Sequence, residues 1–179
     1  MQKYKIDPAK TSFYFCTCTV IEWLCIFKEE KYFNVVIDSL NYCRENKGLR
    51  LYGLVIMLNH LHMIVSTRNE ILLSDVMRDF KRHTSTKLAE LLIADNDKIV
   101  LYHLKKAAEK QKGIFKVWRD EYHPVALFSQ KWFNEKLSYT HYNPVRKGYV
   151  LKPEEWKYST ARNWHSGEDE IISLDLDHL

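Results

Sequence analysis

Two strand-like runs separated by only two residues constrain the fold of this chain more than any other feature. Residues 49–57 and 60–66 are rich in aliphatic side chains, and only Leu58 and Asn59 lie between them. A connection this short forces two strands into an antiparallel hairpin. The chain is therefore expected to build an antiparallel sheet around this hairpin.

Strands and helices are predicted to alternate on both sides of the hairpin. Aromatic and β-branched runs predict strands, whereas apolar residues at steps of three and four predict helices. On these criteria the remaining strands lie at residues 13–21 and within residues 114–127, and the helices cover residues 28–47, 74–92, 98–111 and 129–143. Ser74 and Ser129 are expected to cap the second and the last of these helices, and Pro144 to end the last one.

The order of the main elements predicts the fold class. Strand–helix–strand–strand–helix–strand–helix is typical of an α+β sandwich of the ferredoxin-like (RRM-like) kind. We expect an antiparallel sheet of four to five strands with helices mainly on one face. The only seam lies near Val150, so residues 1–150 are predicted to form the main domain and residues 151–179 a C-terminal extension.

Charge is distributed unevenly along the chain. The last 13 residues hold five acids and no Lys or Arg, so residues 1–166 carry 27 basic and 18 acidic residues. A basic body in which 13% of the chain is aromatic favours a nucleic-acid partner. The acidic tail is either a mobile extension or a strand added late.

Composition also indicates which classes the chain does not belong to. No run approaches the roughly 18 apolar residues of a membrane span, and the polar first residues lack the apolar core of a signal peptide. We therefore expect a cytoplasmic protein with no membrane partner. None of the four cysteines forms a C-x-x-C pair, which argues against a zinc ribbon.

His60 and His62 are the first candidate functional residues. Side chains alternate along a strand, so these two histidines point to one face, whereas Leu61 and Met63 point to the other. Two imidazoles on one rigid face can bind a single divalent metal. An H-x-H pair is also an ordinary strand pattern, in which both rings serve only packing.

Tyr139 and Asn143 are the second pair of candidates. They are four residues apart in a predicted helix, so they lie one above the other on one helix face. Trp132 and Lys136 continue the same stripe, which presents a phenol and an amide oxygen together. The alternative is that Tyr139 packs against the core and Asn143 merely ends the helix before Pro144.

Taken together, five ordered motifs resemble a known family. They are residues 55–64 (VIMLNHLHMI), 79–85 (DFKRHTS), 117–118 (VW), 139–150 (YTHYNPVRKGYV) and 155–162 (EWKYSTAR). They resemble the motifs of the single-tyrosine HUH (His, hydrophobic, His) transposases of insertion sequences, which include the REP-associated tyrosine transposases. The resemblance runs from about Phe13 to Arg162. Leu58 stands where the family often has proline, which alters the turn but no ligand.

This resemblance implies a function and a mechanism. Tyr139 would attack a phosphate of single-stranded DNA beside a hairpin, giving a 5′-phosphotyrosine and a free 3′-hydroxyl, and the strand would later be rejoined. His60, His62 and Asn143 would hold Mg²⁺ or Mn²⁺, which imidazole and oxygen ligands suit. Some relatives share the site between two chains, so a homodimer is one option.

Basic residues are the predicted DNA contacts. They are Arg78, Lys81, Arg82, Lys87, Lys136 and Arg146. The four residues in the second predicted helix form one basic side that could follow the DNA backbone, while aromatic residues could stack unpaired bases. The alternative for that side is a solvated helix surface.

Two other function classes remain open from the sequence. One is a protein that binds hairpin DNA or RNA on the same fold without cutting it. The other is a metal hydrolase that uses His60 and His62 with an activated water and has no need of Tyr139.

Overall fold

The structure is a computed structural model that describes residues 12–68, 70–109, 114–120 and 123–179, apart from the side chain of residue 178. Within these residues the strands are β1 (Phe13–Thr19), β2 (Leu49–Ile56), β3 (His60–Thr67) and β4 (Val125–Leu127). The helices are α1 (Glu30–Asn46), α2 (Leu73–Ala94), α3 (Lys98–Ala108), α4 (Gln130–His141), α5 (Asn143–Arg146) and α6 (Ala161–Ser166). None of these helices has the length and apolar character needed to cross a bilayer.

The four strands form one antiparallel sheet in the order β2-β3-β1-β4. The hairpin predicted from residues 49–66 is β2–β3, and β1 pairs with its other side. The edge strand β4 has three residues and pairs only with the first half of β1, from Phe13 to Phe15. This arrangement confirms the ferredoxin-like α+β fold.

Helices cover both faces of the sheet. Because strand side chains alternate, Leu61, Met63 and Val65 of β3 join the core beneath α1 and α2. Ile64 faces the opposite way and packs with Phe133 of α4. The position of α4 on that second face decides what surrounds the histidines of β3.

Gly53 of β2 lets α4 approach the sheet closely. A Cβ at position 53 would lie 2.8 Å from Cδ1 of Leu137 in α4, which is too close for two carbon atoms. Because Gly53 has no side chain, α4 can pack directly against the backbone of β2. α4 is thereby held over β2 and β3.

The chain after α5 covers the outer edge of β2. Ile56 N donates to Tyr158 O (2.9 Å) and Thr160 N donates to Leu54 O (2.9 Å). Further along, Asp175 accepts from Arg44 Nε and from Leu51 N, both at 2.8 Å. The acidic tail is therefore neither a mobile extension nor a regular strand, because it is docked through these bonds and the buried Ile172.

Helix boundaries confirm one predicted cap and correct another. Ser129 caps α4, since its hydroxyl accepts from Trp132 N (3.3 Å). Ser74 does not cap α2, because the helix begins one residue earlier, at Leu73. The helix that Ser129 caps ends at His141, close to its predicted end near Asn143, and Pro144 lies in the first turn of the separate helix α5, where its missing N–H has no partner to lose. The predicted end of α3 at residue 111 lies outside the described residues.

Candidate active site

His60 and His62 lie side by side on the face of the sheet that α4 covers. Both side chains are almost fully buried, with exposed fractions of 7% and 6%. Their ring centroids are 4.9 Å apart and the ring planes meet at 72°. The prediction that the two rings share one strand face is confirmed.

The turn before β3 fixes the protonation of His60. Asn59 Nδ2 donates to Trp23 O (3.1 Å), which turns Asn59 Oδ1 toward His60 Nδ1 at 2.7 Å. An amide oxygen only accepts, so His60 must carry its proton on Nδ1. Nε2 of His60 is then the ring nitrogen with a lone pair, which can accept a hydrogen bond or bind a metal.

Thr17 of β1 orients His62 from the neighbouring strand. The two residues are paired in register, and Thr17 Oγ1 lies 2.8 Å from His62 Nδ1. The ring of Phe15 stacks on His62 with centroids 5.2 Å apart. Sequence reasoning missed Thr17, although a polar side chain among the aromatic residues and cysteines of β1 was a signal of a hydrogen-bonding role.

Both histidines are held neutral by their surroundings. Burial lowers the pKa of His60 to about 4, and the positive charge of Lys147 adds to this, whereas a hydrogen bond with Asn143 acts against it. Burial also lowers the pKa of His62 to about 3, with smaller contributions from His60, Arg146 and Lys136. A neutral imidazole is the form that binds metals.

Tyr139 of α4 lies against this histidine pair in the same chain. Its ring centroid is 5.2 Å from that of His62 and 5.8 Å from that of Phe15. Two cations flank the phenol ring, with the Arg146 guanidinium 4.3 Å and Lys136 Nζ 5.5 Å from its centroid. The ring remains 39% exposed, so a large substrate can reach it.

Asn143 completes the group of residues that the sequence singled out as ligands. It is the first residue of α5, its side chain is 5% exposed, and it lies close enough to His60 to raise the pKa of that ring. The structure thus brings His60, His62, Tyr139 and Asn143 together, although Tyr139 lies 77 positions after His62 in the sequence.

The donor set at this point suits a small divalent cation with open coordination positions. Two neutral imidazoles and one amide oxygen are ligands that Mn²⁺ and Mg²⁺ accept, with water filling the remaining positions. Among the described residues, no group of three His, Cys, Asp or Glu side chains offers an alternative metal site.

The predicted DNA contacts are divided between two faces of the sheet. Lys136 and Arg146 lie beside Tyr139, whereas the four basic residues of α2 belong to the helix layer on the opposite face. These are Arg78, Lys81, Arg82 and Lys87. Three of them form ion pairs with acids of α2, and Lys81 Nζ donates to Arg119 O (3.1 Å). Arg78, Lys81 and Arg82 border a cavity of about 430 Å³ between α2 and residues 114–120.

Three buried histidines predict that the metal-free protein loses stability between pH 7 and pH 5. Besides His60 and His62, burial lowers the pKa of His141 to about 4. The unfolded chain, with histidine pKa values near 6.5, therefore binds protons first as the pH falls. The free energy of unfolding should drop by about 1–2 kcal/mol per histidine over this interval, as measured by urea denaturation at both pH values.

His141→Gln is the control for this pH dependence. His141 Nε2 lies 3.1 Å from Thr160 Oγ1, and a glutamine amide can replace that contact without titrating. Between pH 7 and pH 5 the free energy of unfolding of this variant should fall by about one third less than that of the wild type, because one of three similar groups is removed. A stability that stays level or rises toward pH 5 would contradict the burial of neutral rings.

Sheet order and helix placement define the molecule as a ferredoxin-like α+β protein with a histidine–tyrosine group on one face of its sheet. The chain belongs to the IS200-like transposase family, whose model matches residues 25–125, more than half of the sequence. The matched segment contains His60 and His62 and ends before Tyr139. No curated protein sequence matches the chain.

One solved structure shows the same fold, and a second is similar to part of this chain. A REP-associated tyrosine transposase solved with a REP hairpin superposes with a TM-score of 0.62 and 16% identity, covering 98% of this chain and 92% of that chain. A structure described as a transposase from Deinococcus radiodurans gives a TM-score of 0.49 and 15% identity, covering 78% of this chain and 95% of that chain.

Proposed function

We propose that the chain cleaves and rejoins single-stranded DNA next to a hairpin, with Tyr139 as the nucleophile. The observation that carries this proposal is the position of the Tyr139 ring, 5.2 Å from the ring of His62 within one chain. Membership of the IS200-like transposases supports it, and so does the hairpin bound to the REP-associated relative of the same fold. The chemistry is assigned to residues 1–150, and residues 151–179 support the sheet edge.

The charges around Tyr139 favour binding of a phosphate. Lys136 and Arg146 flank the phenol, and Lys147 contributes positive potential at His60. A phosphodiester drawn to these cations would lie beside the phenol oxygen and the Nε2 side of the histidines. Positioning and charge neutralisation are the main contributions that a protein makes to phosphoryl transfer.

The proposed step exchanges one phosphate ester for another. The Tyr139 oxygen forms a bond to phosphorus while the bond from phosphorus to the 3′-oxygen breaks. The leaving strand gains a proton as its 3′-hydroxyl, and the tyrosine loses one. Because the number of phosphate ester bonds is unchanged, rejoining needs no external energy source. A divalent metal held by His60, His62 and Asn143 would supply Lewis-acid polarisation of the phosphate.

A covalent-trapping experiment tests this function against its two rivals. Hairpin DNA with a labelled single-stranded flank is incubated with the protein and Mn²⁺, and the products are separated under denaturing conditions. We expect a labelled protein–DNA adduct and a released strand with a 3′-hydroxyl. Binding without cleavage would instead identify a DNA- or RNA-binding module, and cleavage without an adduct would identify a hydrolase that uses water.

Asn143→Ala should raise the Mn²⁺ concentration needed for half-maximal cleavage by about 10-fold or more while lowering the rate at saturating Mn²⁺ less. An amide oxygen carries no full charge, so its loss weakens the site without abolishing it. The measurement is a Mn²⁺ titration of initial cleavage rates. Asn163→Ala is the matched control, because Asn163 is also buried but binds the tail through Ile172 O. An unchanged Mn²⁺ requirement in Asn143→Ala would remove Asn143 from the site.

A further inference from the structure

The short turn between β1 and α1 holds a strained backbone beside the candidate active site. The 3₁₀ turn Ile21–Trp23 contains two consecutive non-glycine residues in the left-handed region, Glu22 at φ 51° and Trp23 at φ 57°. This region is unfavourable for a bulky side chain such as tryptophan. Backbone strain of this kind persists where surrounding contacts enforce it, and it is common at functional sites.

Contacts on both sides hold the turn in this conformation. Trp23 N donates to Val20 O (3.1 Å), and Trp23 O accepts from Asn59 Nδ2 (3.1 Å). The Glu22 carboxylate lies 2.6 Å from His103 Nδ1 of α3. Since Asn59 also binds His60, the strained turn and the histidine pair are parts of one hydrogen-bonded unit.

The turn places an exposed indole at the entrance to the histidine pair. The Trp23 ring meets His60 edge to face, with centroids 5.8 Å apart, yet it is 54% exposed. The Arg119 guanidinium lies 6.0 Å from the ring centroid, and Arg119 O accepts from Lys81 of α2. The indole is therefore both exposed to solvent and held in a fixed position beside His60 by a left-handed backbone.

We propose that Trp23 is a stacking platform for an unpaired nucleobase of single-stranded DNA, next to the phosphate that Tyr139 attacks. The proposal rests on the proposed function for its substrate class, and it adds a base-binding site on the histidine side of the phosphate. Base–aromatic stacking is sequence-tolerant because every base has a π face. The cation of Arg119 suits the neighbouring phosphate of the same strand.

Trp23→Gly separates stacking from packing. Glycine removes the indole and relieves the left-handed strain, so urea denaturation should show an equal or higher free energy of unfolding. The dissociation constant for a fluorescein-labelled oligothymidine strand should rise by about 5- to 150-fold, as expected for one lost stacking contact. Binding is followed by fluorescence anisotropy without metal, so no cleavage takes place.

Two control variants keep this result specific. Asn96→Gly relieves a left-handed residue (φ 56°) distant in sequence from the turn, and it should leave the DNA affinity unchanged. Tyr42→Ala removes another exposed aromatic ring, on α1, and should also leave the affinity unchanged. Trp23→Asn provides a second variant at the site itself, because asparagine tolerates the left-handed region, and it should bind like Trp23→Gly.

An abasic strand of the same length and charge identifies the base as the ligand. Wild type should bind oligothymidine more tightly than the abasic strand, and Trp23→Gly should lose most of this preference while keeping its affinity for the abasic strand. Three results would contradict the stacking role of Trp23. They are an equal loss of affinity for both strands in Trp23→Gly, unchanged binding of that variant to oligothymidine, and lower stability of both Trp23 variants.

The platform and the proposed function fail in different experiments. Base-dependent affinity that disappears in Trp23→Gly would establish the platform even if no covalent adduct formed at Tyr139. The opposite outcome is an adduct at Tyr139 with the same base preference in wild type and Trp23→Gly. It would support the proposed cleavage reaction and show that Trp23 does not bind a base.

Discussion

Tyr139→Phe should abolish the covalent protein–DNA adduct and reduce strand cleavage roughly a thousandfold or more. The substitution removes only the hydroxyl, so the ring contacts to Phe15 and His62 and the flanking cations Lys136 and Arg146 remain. DNA binding should therefore change little. Loss of the adduct without loss of affinity would assign the effect to chemistry and exclude a packing role for the phenol.

Tyr142→Phe is the matched control for this prediction. Tyr142 is also an exposed tyrosine, at the C-terminal end of α4, but it lies three positions further and is rotated by about 60° from Tyr139 around the helix axis. The Tyr142→Phe protein should form the adduct at the wild-type level. Peptide mass spectrometry should find the nucleotide on Tyr139 alone. A nucleotide on Tyr142, or an adduct that survives in Tyr139→Phe, would overturn the assignment.

His62→Ala and His60→Ala should each reduce Mn²⁺-dependent cleavage by at least about a hundredfold. Both rings are neutral because burial lowers their pKa values, and loss of either leaves only one imidazole to bind metal. Direct Mn²⁺ binding, measured by the loss of the free-ion signal in electron paramagnetic resonance, should weaken in parallel. This second readout does not depend on DNA.

His141→Ala shows how much of this effect is packing. His141 is buried like the other two histidines, but it contacts Thr160 of the segment that covers β2. Its loss should lower stability, whereas cleavage and Mn²⁺ binding should persist below the unfolding temperature. If His60→Ala and His62→Ala cleave at the wild-type rate, or behave like His141→Ala, the metal assignment is wrong.

Much of the fold followed from local patterns in the sequence. The two-residue separation between the strand-like runs required the β2–β3 hairpin, and strand alternation placed His60 and His62 on one face. Both outcomes depend on backbone geometry within a few residues, which the sequence specifies directly. Ser129 as the cap of α4 belongs to the same class of local signals.

Other features depended on residues that are distant in sequence. Thr17 orients His62 only because β1 pairs with β3 in one particular register. The acidic tail is ordered through Asp175 only because the edge of β2 and Arg44 of α1 offer it partners. Neither contact leaves a periodic trace, so sequence reasoning left the tail undecided and missed Thr17.

By itself, the sequence determined the strand and helix order and the face that carries the histidine pair, because side-chain direction follows from the local backbone repeat. Only the tertiary structure decided that Tyr139 meets His62 within one chain, since this required α4 to bury Phe133 and Leu137 against β2 and β3 at Gly53. The same burial of apolar faces placed α2 on the other side of the sheet, which separated its basic residues from Lys136 and Arg146. Which helix covers which face depends on burying apolar surface across the whole chain, and no local repeat encodes it.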